Sequence, residues 1–112
     1  MAAGKHNFTL EQGSTFNREI TVQENNQALN LTGYSARMQM RSTHDSSTIA
    51  LTYTSTIASP ASNGKINLSA TATQTASIEE GMYVYDLEIE SSGGEVTRLM
   101  EGQVTVTPEV TR

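Results

Sequence analysis

The segment over residues 82–100 constrains the fold more than any other part of the chain. Its large apolar and aromatic residues alternate with mostly polar ones: Tyr83, Tyr85, Leu87 and Ile89. A period of two places one row of side chains in a core and the other row in solvent. Ser92-Gly93-Gly94 follows, and glycine readily supplies the positive φ that a tight hairpin turn requires. The segment therefore predicts an antiparallel β-hairpin.

Shorter alternating segments predict further strands upstream of this hairpin. They contain Phe8, Phe16, Tyr34, Ile49 and Ile66 near their starts. Residues 54–63 are rich in Ser, Thr, Ala and Pro, a composition that favours a loop. Together the segments predict an all-β fold, a small antiparallel immunoglobulin-like β-sandwich of about seven strands. The length of 112 residues is typical of one domain, so we expect a single domain over residues 1–112.

One segment lacks the strand pattern. Residues 70–78 carry small side chains without large alternating ones, and we predict one short helix there. Ser69 is the expected N-cap and Gly81 the expected stop signal.

Three local patterns add detail to the last strands and to the second one. Tyr83 is expected to form a tyrosine corner, with its hydroxyl bonded back to the backbone near residues 77–79; the alternative is an ordinary strand residue. Leu99 and Gly102 interrupt the alternation of the final strand, which predicts a β-bulge between Arg98 and Gly102. Arg18 falls on the apolar side of its strand, where a position at the rim is favoured over burial beside an acid.

Composition excludes several classes of function. The chain has no cysteine, so disulfides, thiolate chemistry and zinc fingers are excluded. Its net charge is −5 with seven Lys and Arg, which argues against a nucleic-acid partner, because such a surface needs a basic patch. No window approaches the roughly 20 apolar residues of a membrane span, and we expect no membrane partner.

Charged residues suggest one candidate surface. Arg37 and Arg41 point outward from the third predicted strand, and Asp86, Glu88 and Glu90 form an outward acidic row on the sixth. These unlike charges are a possible assembly surface, where copies of the chain or an acidic partner meet. The alternative is a solvated surface that keeps the protein soluble.

Catalytic and metal-binding chemistry is not expected. His6 and His44 are the two histidines of the chain. A triad built on His44 and Asp45 lacks a nucleophile elbow. The acidic row also falls short of a calcium site, which needs six to eight converging oxygens. We therefore predict no enzyme activity, no catalytic residues, no cofactor and no metal site.

Four segments together carry a family resemblance: residues 8–16, 31–41, 81–88 and 99–112. They contain Glu-Gln-Gly, Leu-Thr-Gly-Tyr, Tyr-Asp-Leu, Glu-Gly and a terminal Thr-Arg, in that order. This layout resembles a family of small virion proteins of tailed bacteriophages and prophages, including those of marine cyanobacteria. The family is similar to β-sandwich domains associated with phage long tail fibres, and no functional residue is established in its motifs.

The resemblance implies a non-enzymatic virion structural protein, made in the cytoplasm of the host bacterium. Its expected place is the tail, neck or baseplate, or a fibre-attachment module, with other virion proteins as partners and several symmetry-related copies. The alternatives are a capsid decoration protein, a carbohydrate-binding or adhesion module of immunoglobulin type, and a chaperone for fibres.

Overall fold

The computed structural model describes residues 4–111, which form β-strands joined by turns and one short helix. In chain order the elements are β1 (Gly4–Lys5), β2 (Phe8–Glu11), β3 (Phe16–Thr21), β4 (Gln23–Glu24), β5 (Gln27–Ala28), β6 (Ser35–Arg41), β7 (Leu51–Ile57), β8 (Lys65–Ala70), α1 (Ala72–Ala76), β9 (Gly81–Glu90) and β10 (Val96–Thr107). A 3₁₀ turn over Ala61–Asn63 lies between β7 and β8.

Most strands belong to one curled sheet with the order β1-β10-β9-β6-β7-β8-β3, and β2 also pairs with β10. The strands β4 and β5 form a separate hairpin, turned by Asn25 and Asn26 with φ of 54° and 65°, as a type I′ turn requires. The all-β fold is confirmed. The sheet is mixed rather than antiparallel throughout, because β1 and β2 run parallel to β10.

Curling brings the two ends of the sheet together around a core. The rings of Phe8 in β2 and Phe16 in β3 lie 5.4 Å apart, although no ladder joins these strands. Alternate side chains of the central strands fill the interior, including Met38 and Met40 of β6 and Leu87 of β9. This is the burial that the period of two predicts for these strands.

The strand β7 differs from the prediction at both ends. It runs from Leu51 through Ile57, so the first part of the predicted loop over residues 54–63 is strand. Tyr53 is buried and Ser55 is half-buried, which continues the alternation with small side chains that a strand accommodates. Ile49 precedes the strand and is 42% exposed, so its predicted place at the start of this strand is wrong.

The short helix forms where it was expected but begins later. Its N-cap is Thr71, whereas the predicted cap Ser69 lies within β8. The Thr71 hydroxyl accepts a bond from the Gln74 amide (3.1 Å), and the Gln74 side chain accepts one from the Thr71 amide (2.8 Å). This capping box satisfies two amides that the first turn leaves unpaired. The helix ends at Ala76, before the predicted stop at Gly81.

The final hairpin confirms both the tyrosine corner and the bulge. The Tyr83 hydroxyl donates to the carbonyl of Glu79 at 2.8 Å. The register of β9 and β10 shifts between Arg98 and Met100, which makes Leu99 the extra residue. Leu99 is buried while Val96, on the other side of the bulge, is 46% exposed.

The bulge is followed by a close approach of the N-terminal segment to β10. Gly102 lies opposite Tyr85, and a β-carbon on Gly102 would collide with the carbonyl oxygen of His6. The Tyr85 hydroxyl donates to that same carbonyl at 2.7 Å. A glycine at this position therefore lets the segment between β1 and β2 lie directly against β10.

Candidate assembly surface

The outward residues of β6, β9 and β10 form a continuous charged face. Register places Glu88 between Arg37 and Arg98 on the neighbouring strands. We use "charged face" for the following residues: Arg37 and Arg41 of β6, Asp86, Glu88 and Glu90 of β9, and Arg98 and Glu101 of β10. It contains all five residues that the sequence predicted for an assembly surface.

Arg37 binds two carboxylates of the acidic row. Its Nε donates to Glu88 Oε1 at 3.0 Å and its Nη1 to Glu90 Oε1 at 2.9 Å. Hydrogen bonding to Glu88, and then to Glu90, raises the pKa of Arg37. The arginine side chain remains half exposed, and exposed ion pairs contribute little stability. These bonds therefore join outward side chains of β6 and β9 and add little to the stability of the fold.

Arg98 forms a second charged group on the same face. It lies 3.5 Å from Asp86 and 3.4 Å from Glu101. Simple alternation along β10 does not predict that Arg98 points outward. Val104 and Val106 are buried, and an unbroken alternation would place Arg98 on the same buried side as these two residues. The bulge at Leu99 reverses that parity and places Arg98 in solvent.

Arg41 has a different role from Arg37. Its Nη1 donates to the carbonyl of Ser46 at 2.9 Å, and its Nη2 donates to Gln39 Oε1 at 3.1 Å. The side chain is half-buried and anchors the loop that connects β6 to β7. The structure thus brings Arg37 together with the acidic row and directs Arg41 to this loop.

A shallow cavity of about 240 Å³ lies beside Asp86, with Arg41, His44 and Glu101 among its lining residues. Burial raises the pKa of Asp86, the negative charge of Glu88 raises it further, and Arg98 opposes both. Over residues 4–111, no three His, Asp or Glu side chains are grouped so that they could hold a metal ion.

Each of the four carboxylates on this face contacts an arginine of the same chain. Arg37 and Arg98 each contact two carboxylates. From the sequence, the arginines and the acidic row could have paired between two copies of the chain. In the structure, these opposite charges pair within one chain. A partner at this face would meet side chains that are already hydrogen-bonded. Whether the charged face contacts a partner stays a prediction.

A second surface lies where the curled sheet does not close. We call it the seam: the gap between β3 on one side and β1, β2 and residues 96–100 of β10 on the other. A cavity of about 500 Å³ occupies it, lined by apolar side chains of both sides that include Ile20, Val22, Leu99 and Met100. A neighbouring cavity of about 560 Å³ shares Gln23 and Leu99 with it, so the two form one groove. The sequence analysis did not predict the seam. The seam depends on the order of the strands in the sheet, and alternation within single strands does not reveal that order.

Arg18 lies on the wall of the seam. Its guanidinium carbon is 5.1 Å from the ring centroid of Phe8 and 5.5 Å from that of Phe16, within the range of a cation–π contact. Arg18 is exposed, and its predicted position at the rim is confirmed. Burial raises the pKa of Tyr85, and the positive charge of Arg18 opposes this shift.

Comparisons with known proteins bear on the fold alone. No model of a known protein family matches the chain, and no curated protein matches it. The solved structure of CopC from Methylosinus trichosporium OB3b is similar, with a TM-score of 0.53 and 12% identity, over 99% of this chain and 90% of that one. A likeness at this identity supports a shared β-sandwich architecture and carries no activity across.

Across the described residues, no helix has the length and apolar character needed to cross a bilayer.

Proposed function

We propose that this chain is a non-enzymatic structural protein of a tailed-bacteriophage particle, acting through protein–protein contacts in several symmetry-related copies. The observation that carries the proposal is the open seam. A sheet edge presents unpaired backbone N–H and C=O groups, and natural proteins cover or blunt such edges. In an assembled particle a neighbouring protein covers the edge, and repeated copies add many weak contacts.

The placement of the resembling segments supports the same function. Residues 8–16 contain β2 and the first residue of β3, residues 31–41 contain β6, residues 81–88 fall in β9, and residues 99–107 fall in β10. Arg112, at the end of the fourth segment, lies outside the described residues. These strands border the seam and carry the charged face. The tail, neck or baseplate, or a fibre-attachment module, is the place that the resemblance favours, and capsid decoration is the alternative within this class.

The aromatic residues give less support to a carbohydrate-binding module. Sugar platforms need exposed rings, yet each Phe and Tyr of residues 4–111 is buried or half-buried. Four of them pack on one another with centroids 4.9 to 6.5 Å apart: Phe8, Phe16, Tyr53 and Tyr85. The Tyr85 hydroxyl is also bonded to backbone. This cluster serves the core rather than a sugar.

The proposal is tested on purified particles of a phage that encodes this chain. Quantitative mass spectrometry is expected to find the chain in multiple copies per particle, at a constant ratio to the major structural proteins. Presence in the infected-cell lysate with absence from the particles would contradict a virion role and favour the chaperone. A glycan array with the purified chain is expected to show no binding.

The charged face is tested separately by Arg37→Gln, which removes both ion pairs of that residue. We expect a nearly unchanged melting temperature and reduced incorporation into particles. Lys65→Gln is the matched control, because Lys65 has an exposed pairing with Glu19 away from this face, at 3.7 Å. Normal incorporation of Arg37→Gln would remove this residue from the interface and leave the solvated surface as the better interpretation.

A further inference from the structure

The strand β3 has one unpaired edge. It is the last strand in the sheet order and pairs with β8; among residues 4–111, no strand pairs with its other edge. The Val22 amide donates to the Gly64 carbonyl at 2.7 Å, in the same register as the β3–β8 ladder. Backbone groups alternate between the two sides of a strand. The N–H and C=O groups of Asn17, Glu19 and Thr21 therefore point away from β8, toward the free edge.

The groove beside this edge has an apolar floor. Val22 and Leu99 are buried, and Ile20 and Met100 are half-buried. A strand added to the edge of a sheet makes backbone bonds with it and places every second side chain on the same face. Such a strand on β3 would lay alternate side chains over these four residues, which favours apolar residues at those positions.

Arg18 supplies an unmatched charge at one end of this floor. The other described arginines all bind carboxylate or carbonyl oxygens, whereas Arg18 has ring contacts and no hydrogen bond or ion pair within residues 4–111. Among residues 4–111, no acidic residue lines the cavity of about 500 Å³ that holds Arg18, and the acids of the groove, Glu24 and Glu95, line the neighbouring cavity. A guanidinium offers five N–H donors in a planar fork that matches a carboxylate, so the seam complements a negative side chain.

We propose that the seam binds an extended peptide segment of a neighbouring protein, which adds to the free edge of β3 and directs a carboxylate to Arg18 and an apolar side chain, two residues away, to Ile20. This inference rests on the proposed function, since it names the chemistry of the partner that covers the edge. The spacing of two follows from the period of a strand.

The first test measures binding of a nine-residue fluorescein-labelled peptide by anisotropy. Valine and threonine alternate in it, and glutamate replaces the central valine, so that apolar residues flank the acid at a spacing of two in either strand direction. Because charge-assisted hydrogen bonds are about twice as strong as neutral ones, we expect binding about tenfold tighter than for the glutamine version. The lysine version is expected not to bind.

Two variants connect this preference to the seam. Arg18→Gln is expected to bind the glutamate and glutamine peptides equally, while Arg37→Gln, on the charged face, keeps the preference. Thermal melting of both variants checks that they fold. Equal binding of the glutamate and lysine peptides to the unchanged protein would overturn the inference, and so would a preference that survives Arg18→Gln.

Amide hydrogen exchange followed by NMR tests the backbone contacts directly. The amides of Asn17, Glu19 and Thr21 are expected to exchange rapidly in the free protein and to become protected when the glutamate peptide binds. Binding that leaves these three amides unprotected would overturn the inference. Protection that grows with protein concentration, without peptide, would also overturn it, because a second copy of the chain would then occupy the edge.

These outcomes separate this inference from the proposed function. Particles that contain the chain, combined with a protein that does not bind the glutamate peptide, would overturn the inference alone. Peptide binding with edge protection, combined with absence from the particles, would overturn the virion role and leave the seam as a peptide-binding groove.

Discussion

Leu87→Ala tests the register of the whole sheet. Leu87 has 0% of its surface exposed and lies in the middle of β9, the strand between β6 and β10. Its register partners are Met38 on one side and Met100 on the other. Removing this side chain takes away buried apolar contacts and leaves a cavity inside the curled sheet.

The surroundings of Leu87 set the expected magnitude. Leu→Ala changes in cores cost about 2–5 kcal/mol, and the cost depends on how far the site collapses. Methionine is unbranched and adapts to irregular gaps, and Met100 is only half-buried. Two such neighbours can fill part of the space, so we expect a loss of about 3 kcal/mol, a large fraction of the stability of a small domain.

Urea titration followed by circular dichroism measures this loss. With a denaturant slope of about 1–3 kcal/mol per molar, the midpoint is expected to fall by about 1–3 M. Glu88→Ala is the matched control, one residue along on the charged face, and its effect is expected to be a small fraction of that for Leu87→Ala. The opposite order would refute the register, because a slip of one residue exchanges the two faces of a strand.

Three further changes test local features. Gly102→Ala is expected to lower the melting temperature strongly, because its methyl group would collide with backbone, whereas Gly93→Ala in the open turn is expected to change it little. Tyr83→Phe removes the bond to backbone and is expected to cost about 1 kcal/mol in a urea titration. The raised pKa of Asp86 means that the folded state binds this proton more tightly than the unfolded chain, so ionisation weakens the fold. Asp86→Asn is therefore expected to raise the melting temperature near pH 7 and to leave it unchanged near pH 3.

Local pattern predicted the hairpin well. Tyr85, Leu87 and Ile89 are buried, because alternation within one strand depends only on which face meets the core. The tyrosine corner and the bulge were predicted for a similar reason. Each feature involves residues that are close together in the sequence, so the local sequence pattern is enough to predict it.

Features that depend on distant residues were not predicted. The strand β1 has two residues and no alternation, and its position is set by its pairing with Met100 and Glu101 of β10, which lie far along the chain. The helix cap moved from Ser69 to Thr71 because β8 continues to Ala70 to complete its ladder with β3. Pairing across the sheet decided both positions.

The charged face was predicted in part. Parity along single strands identified Arg37 and the acidic row as outward. Arg37 and the acidic row touch within one chain because β6 lies beside β9 in the sheet. Alternation along a single strand does not predict which strands are neighbours. The free charge of Arg18 beside an unpaired edge also depends on the curl of the sheet.

The parallel pairing of β2 with β10 has a consequence for how the molecule folds during synthesis. β2 pairs residues 8–11 with residues 104–107, so the ribosome releases the first strand of this pair well before the second. The β9–β10 hairpin involves local contacts and can form as soon as it emerges, whereas distant pairings are slow because a long loop must close first. Until then Phe8 and Leu10 lack the strand that shelters them, and a nascent chain with such exposed apolar residues is prone to aggregation. The strand β2, made well before its partner β10, is thus among the last to reach its native place.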